Sequence, residues 1–171
     1  MKQLMIFISS ILMLCSLSCV RDNENAYEAT SHVKVGDEVP DFTLSNGEGT
    51  VSKATLAGKK TLLVLFSTTC GDCQRVLPAI EGAWKMLKDE PDVVVITISR
   101  EEKAEVVSAY WAEAQFTMPY YLDEDRSIFK KFASAYTPRV YLINPQQRVT
   151  EMHVETLQIT GEELYRRVMA L

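Results

Sequence analysis

Two largely apolar stretches form the centre of the predicted fold. Residues 61–66 (TLLVLF) and 92–98 (DVVVITI) have the length and composition of strands that are buried on both sides. Between them, apolar side chains recur every three or four residues from Cys73 to Lys88, which predicts a helix with one buried face. A helix between two buried strands indicates that the strands are parallel and that helices cover the sheet.

Shorter elements are predicted on both sides of this centre. Asn46-Gly47 is a strong turn signal and predicts a β-hairpin before the first buried strand. Thr160, with Glu163 three residues later, predicts the capped start of the last helix. The remaining apolar spacing predicts two helices, over 101–114 and 125–135, and three strands, over 118–122, 139–143 and 148–154.

These elements predict one α/β domain. Its fold class is a three-layer α/β/α sandwich with a mixed sheet, helices on both faces and an N-terminal β-hairpin extension. The last two strands return antiparallel to each other and supply the edge of the sheet. The helix over 101–114 is predicted to turn four side chains inward, namely Val106, Val107, Tyr110 and Trp111.

The N-terminus has the pattern of an export signal. One positive charge in residues 1–3 precedes an almost wholly apolar run over 4–14, which is shorter than the roughly 20 apolar residues of a membrane-spanning helix. The segment 1–18 resembles a bacterial lipoprotein signal, and this resemblance implies lipidation of Cys19. An uncleaved anchor or an ordinary secreted protein are the alternatives. Residues 19–32 are polar and predict a flexible tether before a domain over 33–171.

Charge and length narrow the function classes. The chain has 171 residues, which suits one domain with an appendage. Its formal net charge is −5, and no long block of Lys or Arg is present, so a nucleic-acid partner is not expected. The predicted location is the bacterial cell envelope, on a membrane-anchored protein that faces the periplasm or the exterior.

The cysteines point to chemistry in the domain itself. Once the signal is removed and Cys19 is lipidated, the mature domain keeps only Cys70 and Cys73. Two intervening residues allow a redox pair, a simple disulfide or half of a metal site. A metal site would need further ligands, and the chain offers only His32 and His153 in distant segments, so no metal is expected.

The position of the pair favours redox exchange. Cys70 follows a buried strand at the start of a helix, where free N–H groups and the helix dipole stabilise a thiolate. Cys70 is therefore the predicted nucleophile. Cys73 lies one turn further along and is the predicted resolving cysteine, which attacks a mixed disulfide formed at Cys70.

A second motif supports this interpretation by resemblance. A strand, a C-x-x-C helix and a later Thr137-Pro138 that opens a strand hairpin resemble the thioredoxin fold. The lead-in GDEVPDFTL and the signal segment are similar to the exported TlpA/ResA-like branch, which is related to the AhpC/TSA superfamily. The resemblance implies that Pro138 is a cis-proline facing the cysteines and that the backbone of Thr137 contacts an extended substrate segment.

The same resemblance implies partners. These are exported protein thiols and disulfides, a membrane reductase as the electron donor, and the membrane itself through the lipid anchor. No cofactor is expected, and a monomer is expected.

Three positions depart from that family pattern. Thr69 stands where a Trp usually precedes the first cysteine, Val64 replaces a buried acid, and Val76 replaces a Glu. Asp72 is then the nearest carboxylate to the sulfurs. Its negative charge disfavours the Cys70 thiolate, which predicts redox tuning towards a reductase. The alternative is that Asp72 is a solvated residue that favours the helix start.

The leading interpretation is a thiol–disulfide oxidoreductase, and two alternatives remain open. A thiol peroxidase of the AhpC/TSA type would use P-x-x-x-T/S-x-x-C; Ser67 and Cys70 fit its end, but Leu63 replaces the proline. A non-catalytic binding or assembly module with a thioredoxin fold is the other alternative.

Overall fold

The structure is a computed structural model that describes residues 21–47, 49–155 and 157–171. The predicted signal segment and the predicted lipidation site Cys19 lie outside these residues. No helix in the described ranges has the length and apolar composition that a membrane span requires. The chain divides into two compact units, of which the first ends at Thr30 and the second covers Ser31–Leu171.

The first unit contains helix α1, Arg21–Thr30. These ten residues lie within the predicted tether over 19–32 and are helical. The segment holds no Gly or Pro to break a helix, and several of its residues are Ala or Glu, which favour one. At its end the Thr30 hydroxyl donates a hydrogen bond to the Ala26 carbonyl oxygen at 2.9 Å.

The second unit is built on a five-stranded mixed sheet with the order β5-β4-β3-β6-β7. Its strands are β3 (Lys60–Phe66), β4 (Val93–Arg100), β5 (Tyr120–Asp123), β6 (Arg139–Ile143) and β7 (Val149–Val154). Strands β3, β4 and β5 are parallel, whereas β6 is antiparallel to both β3 and β7. The predicted mixed sheet is confirmed, and β6 has the predicted bounds.

Three helices cover one face of this sheet. They are α2 (Gly71–Leu87), α3 (Ala104–Ala114) and α5 (Gly161–Met169). Alternate residues of β3, Leu62, Val64 and Phe66, pack into the same buried cluster as the apolar faces of these helices. Thr160 caps α5 as predicted, and its hydroxyl accepts a hydrogen bond from the Glu163 N–H at 3.1 Å.

The other face is covered by the N-terminal segments and one short helix. They comprise the lead-in, the hairpin β1 (Thr43–Asn46) and β2 (Gly49–Ser52), a 3-10 helix (Lys53–Leu56) and α4 (Phe129–Phe132). The predicted hairpin extension is confirmed and forms a separate two-stranded sheet. The domain begins two residues before its predicted start, since buried Ser31 forms a β-bridge with Ala133.

Two helix predictions are wrong in detail. The helix predicted over 125–135 is reduced to α4 because the chain turns sharply before it. Arg126 has a φ of 63°, and the Asp123 carboxylate accepts the N–H groups of Ile128 at 2.9 Å and Phe129 at 2.6 Å. In α3, Val107 and Trp111 are buried as predicted, but Val106 is 48% exposed.

Candidate active site

The cysteine pair lies where β3 passes into α2. Strand β3 ends at Phe66, residues 67–69 form a loop, and Cys70 is the N-cap residue of α2. The Cys70 sulfur accepts a hydrogen bond from the Cys73 N–H at 3.3 Å. A helix start presents free N–H groups and the positive end of the helix dipole, so this position favours negative charge on Cys70.

The two sulfurs differ in their surroundings. Cys70 is partly exposed, whereas Cys73 has 0% exposure, and both are free thiols. Burial raises the pKa of the Cys73 thiol far above its ordinary value, and its hydrogen bond with Cys70 raises that pKa further. Hydrogen bonds from the Ser67 backbone and the Thr137 side chain act in the opposite direction. Cys70 is therefore the sulfur that an external disulfide can reach.

Thr137 and Pro138 lie beside this pair. The peptide bond between them is cis. The Cys70 thiol donates a hydrogen bond to the Thr137 carbonyl oxygen at 3.2 Å, and Thr137 is buried. Residues 67 positions apart in the sequence thus meet at one sulfur. Strand β6 begins directly after Pro138 and pairs antiparallel with β3. The start of β6 therefore lies next to the end of β3, and the two motifs meet at the same end of these strands.

Asp72 is half-exposed on the first turn of α2. Its carboxylate forms an ion pair with Arg75, whose side chain is 73% exposed. A guanidinium next to the carboxylate offsets part of the negative charge that Cys70 experiences, and surface pairs are weak. The redox-tuning role of Asp72 stays a prediction.

The three departures from the family pattern have clear positions. Val64 and Val76 are buried in the cluster beneath the helices, so apolar packing occupies both sites. Thr69 is part of the loop that precedes Cys70, and its hydroxyl lies 3.0 Å from that of Ser67. A polar loop therefore stands where the family places an aromatic ring.

Glu102 is a site residue that the sequence did not reveal. It follows β4, and its carboxylate accepts hydrogen bonds from the Thr68 N–H at 2.9 Å and the Thr68 hydroxyl at 2.5 Å. The hydroxyls of Ser67 and Ser99 donate to the same carboxylate at 3.1 and 2.6 Å. One carboxylate thus fixes the loop that carries Cys70. The contact joins residues 34 positions apart, so no local sequence pattern predicts it.

Arg139 is the second residue that sequence reasoning missed. Its side chain has 0% exposure, although it carries a positive charge. Its guanidinium donates to the carbonyl oxygens of Ala135, at 2.8 and 3.0 Å, and Tyr136, at 3.2 Å, and to the Ser31 hydroxyl at 2.7 Å. The sequence offers one signal for such a role, because Arg139 is a charged residue at the first position of an otherwise apolar strand.

Metal ligands do not gather around the sulfurs in the part of the chain that the structure describes. There, no group of three or more His, Cys, Asp or Glu side chains is arranged to hold a metal ion. The His32 ring lies against the Lys130 carbonyl oxygen, and the His153 ring lies against Glu151.

Comparison with known proteins agrees with this geometry. A family model described as the AhpC/TSA family matches residues 35–152. The chain belongs to the AhpC/TSA family. It is 30% identical over 150 residues to the thioredoxin-like protein YneN of Bacillus subtilis, which covers 84% of this chain and 86% of that protein.

Two further comparisons extend the match. The thiol-disulfide oxidoreductase ResA of Bacillus subtilis is 22% identical over 148 residues, covering 86% of this chain and 82% of ResA. The solution structure of a candidate protein disulfide isomerase from Bacteroides thetaiotaomicron matches with a TM-score of 0.73 and 30% identity, over 82% of this chain and 89% of that one.

The predicted resemblance and the predicted enzyme class are confirmed. This member of the AhpC/TSA family has a thioredoxin-like fold and is a thiol–disulfide oxidoreductase. Its described residues bring Cys70, Cys73 and Thr137 together, with Pro138 beside them.

Proposed function

We propose that this chain is a membrane-tethered thiol–disulfide reductase that acts on exported proteins through Cys70 and Cys73. The observation that carries the proposal is the difference between the two sulfurs. Cys70 is partly exposed at a helix start, and Cys73 is buried with a raised pKa directly beside it. Because Cys70 is accessible and can carry a negative charge, it is suited to attack a substrate disulfide. Because Cys73 is buried beside it, Cys73 is suited to attack the resulting mixed disulfide.

The reaction proceeds in two exchanges. The Cys70 thiolate attacks one sulfur of the substrate disulfide, a bond forms between Cys70 and that sulfur, and the other substrate sulfur leaves and takes up a proton. Cys73 then loses its proton and attacks the Cys70 sulfur. The Cys70–Cys73 disulfide forms and the second substrate thiol is released. The substrate gains two electrons and two protons, and the cysteine pair loses them.

The backbone beside the pair supplies a place for the substrate. The Thr137 carbonyl oxygen lies 3.2 Å from the Cys70 sulfur, so an extended segment that pairs with the Thr137 backbone would bring its disulfide to Cys70. Pro138 follows at the start of β6. Thr137 and Pro138 therefore act in substrate alignment and not in the bond-breaking step.

The location and partners follow from the N-terminal segment. We assign residues 1–18 to a lipoprotein signal, Cys19 to lipidation, and the protein to the bacterial cell envelope as a monomer. An electron donor has to restore the dithiol after each cycle, and a membrane reductase is the class of partner that an anchored protein meets.

The proposed direction is reduction. A negative charge at Asp72 disfavours the Cys70 thiolate and thereby favours the disulfide form of the pair, although Arg75 weakens this effect. The reduction potential tests the direction. A value near about −120 mV, which is typical of a strong oxidant, would contradict it.

Catalysed reduction of insulin disulfides by dithiothreitol tests the function. We expect the wild type to accelerate the reaction, and Cys70→Ser and Cys73→Ser to abolish the acceleration. Undiminished catalysis by Cys70→Ser would contradict the proposal and favour a non-catalytic role for the pair.

Steady consumption of hydrogen peroxide without insulin reduction would favour the peroxidase alternative, although buried Leu63 stands where that motif has its proline.

A further inference from the structure

The loop before Cys70 carries an exposed hydroxyl group directly before the reactive cysteine. Thr69 is exposed and is bonded through the backbone to Cys70, which is itself partly exposed. The loop is compact, because the Cys70 N–H donates a hydrogen bond to the Ser67 carbonyl oxygen at 3.2 Å. Consecutive Cα atoms are about 3.8 Å apart, so a disulfide that reacts at Cys70 brings its nearest substituents within reach of residue 69.

Glu102 fixes the direction of the hydrogen bonds in this loop. An ionised carboxylate has no proton to donate and acts only as an acceptor. The Ser67 hydroxyl therefore donates its single proton to the Glu102 carboxylate, at 3.1 Å. The two lone pairs of the Ser67 oxygen remain to accept hydrogen bonds. Both have a partner in Thr69, whose N–H nitrogen lies 3.4 Å and whose hydroxyl oxygen lies 3.0 Å from that oxygen.

The Thr69 hydroxyl is therefore oriented. Its proton points to Ser67, because the Ser67 hydroxyl has already donated its own proton. The lone pairs of the Thr69 oxygen have no hydrogen-bond donor in the part of the chain that the structure describes. Since Thr69 is exposed, a donor from another molecule can reach them. The connection to a carboxylate through Ser67 polarises the Thr69 oxygen and strengthens it as an acceptor.

We propose that Thr69 determines substrate specificity by accepting a hydrogen bond from an ammonium or guanidinium group next to the reacting sulfur of the substrate. The inference rests on the proposed function, because it requires Cys70 to be the attacking sulfur. Charged donors form stronger hydrogen bonds than neutral donors do, whereas an apolar group or a carboxylate has no proton for this oxygen. Disulfides with a Lys or Arg side chain beside the cysteine are therefore the favoured class of substrate.

Two neutral substitutions isolate the hydroxyl group. Thr69→Val removes it and keeps a β-branched side chain, and Thr69→Ser keeps the hydroxyl. Neither variant changes a charge, so the attraction of a cationic substrate to Asp72 and Glu102 is the same in both. The matched control is Thr50→Val, which removes a hydroxyl that lies 2.8 Å from that of Ser45 in the separate hairpin sheet.

The test uses three mixed disulfides of thionitrobenzoate, formed with cysteamine, propanethiol and mercaptoacetate. They share one leaving group, and their other halves end in an ammonium, a methyl or a carboxylate group at a similar distance from the sulfur. The Cys70 thiolate bonds to the alkyl sulfur, and thionitrobenzoate leaves as a coloured thiolate. The rate measured for Cys70→Ser is subtracted, which leaves the reaction of Cys70.

A selective loss is expected. Thr69→Val should release thionitrobenzoate from the cysteamine disulfide about fivefold more slowly than the wild type does, because one hydrogen bond to a charged donor is missing. It should react with the propanethiol and mercaptoacetate disulfides at the wild-type rate. Thr69→Ser and Thr50→Val should match the wild type with all three disulfides.

The outcomes separate the inference from the proposed function. An active wild type whose Thr69→Val variant keeps the cysteamine rate would overturn the inference alone. Equal slowing of Thr69→Val with all three disulfides would also overturn it, because the hydroxyl would then only hold the loop. A wild type that releases thionitrobenzoate no faster than Cys70→Ser does would overturn the proposed function, and this inference with it.

Discussion

Two loops meet at the Cys70 sulfur, and they are held by opposite charges. The loop before the cysteine, residues 67–69, presents N–H and O–H groups, and the carboxylate of Glu102 accepts them. The loop before the proline, residues 134–137, presents carbonyl oxygens, and the guanidinium of Arg139 donates to two of them, those of Ala135 and Tyr136. In each loop, one charged side chain of the matching kind forms hydrogen bonds with several of the polar groups that the loop presents.

The two holding residues differ in burial. Glu102 is partly exposed, whereas Arg139 has 0% exposure. Water can reach part of the Glu102 carboxylate, whereas the Arg139 side chain is enclosed by the protein. Because an unsatisfied buried polar group costs more free energy than one that water can reach, the proline loop depends more on its holding residue than the cysteine loop does.

The largest effect is expected for Arg139→Met. The variant leaves the carbonyl oxygens of Ala135 and Tyr136 without their donors, and we expect the free energy of unfolding to fall by about 3 kcal/mol. Urea denaturation measures it. The control is Arg126→Met, which removes a partly exposed donor to the Ser134 carbonyl and costs about 1 kcal/mol. Equal losses in the two variants would contradict the assigned difference in burial.

The next effect is expected for Glu102→Gln. The amide that replaces the carboxylate cannot accept all of the bonds from Ser67, Thr68 and Ser99, so we expect a loss of about 2 kcal/mol. Alkylation of Cys70 by iodoacetamide should change at the same time, because the loop that carries it loosens. The adjacent Glu101→Gln is the matched control.

Among the described residues, Glu101 forms two ion pairs that are partly exposed, with Arg100 at 3.4 Å and Arg126 at 3.3 Å. Its loss should cost less than about 1 kcal/mol and leave alkylation unchanged. If Glu101→Gln destabilises the protein as much as Glu102→Gln does, the loop contacts of Glu102 contribute no more to the free energy of unfolding than a surface ion pair does.

The sequence predicted the central elements because their signals are local. An apolar run gives β3 and β6 without reference to the rest of the chain, and the two cysteines stand directly after the first of these strands. The residues that complete the site are different. Glu102 acts on Thr68 from another loop, so only the folded chain brings them together.

The wrong predictions arise where other contacts override the apolar spacing of the sequence. Apolar spacing over 125–135 suits a helix, but the Asp123 carboxylate captures the N–H groups of Ile128 and Phe129 and shortens it. Val106 fits the apolar period of α3, but the sheet face accommodates only Val107 and Trp111 fully. Residue types in one segment cannot show which of two apolar neighbours the tertiary packing selects.

The difference between the two sulfurs predicts a pH effect on stability. The folded state raises the pKa of Cys73, so above the ordinary thiol value of about 8.5 the unfolded chain releases a proton that the folded chain retains. The stability of the reduced protein therefore falls as pH rises, by up to about 1.4 kcal/mol per unit. Urea denaturation at pH 8 and pH 10 measures it.

Cys73→Ala is the control for this pH effect. It removes the buried thiol and keeps the other ionisable side chains of the chain. The wild type should lose more stability between pH 8 and pH 10 than the variant does. Parallel losses would mean that Cys73 ionises as readily in the folded state as in the unfolded chain.

The smallest effect is expected at Asp72. Asp72→Asn removes a charge that disfavours the Cys70 thiolate, so Cys70 should react faster with iodoacetamide at pH 7, but only by about twofold because Arg75 already offsets that charge. Arg75→Gln should slow the reaction by a similar factor. A tenfold change in either variant would show that this surface pair governs the reactivity of Cys70.

The central claim is that Cys70 attacks the substrate and Cys73 resolves the adduct. Intact-protein mass spectrometry tests it after each reduced variant that keeps one cysteine of the pair is mixed with a disulfide-bonded protein substrate such as insulin. We expect Cys73→Ala to accumulate a covalent adduct through Cys70 that dithiothreitol releases, and Cys70→Ala to form almost none through the pair, because Cys73 is buried. An adduct that forms on Cys73 in Cys70→Ala and not on Cys70 in Cys73→Ala would contradict the assignment of the two roles.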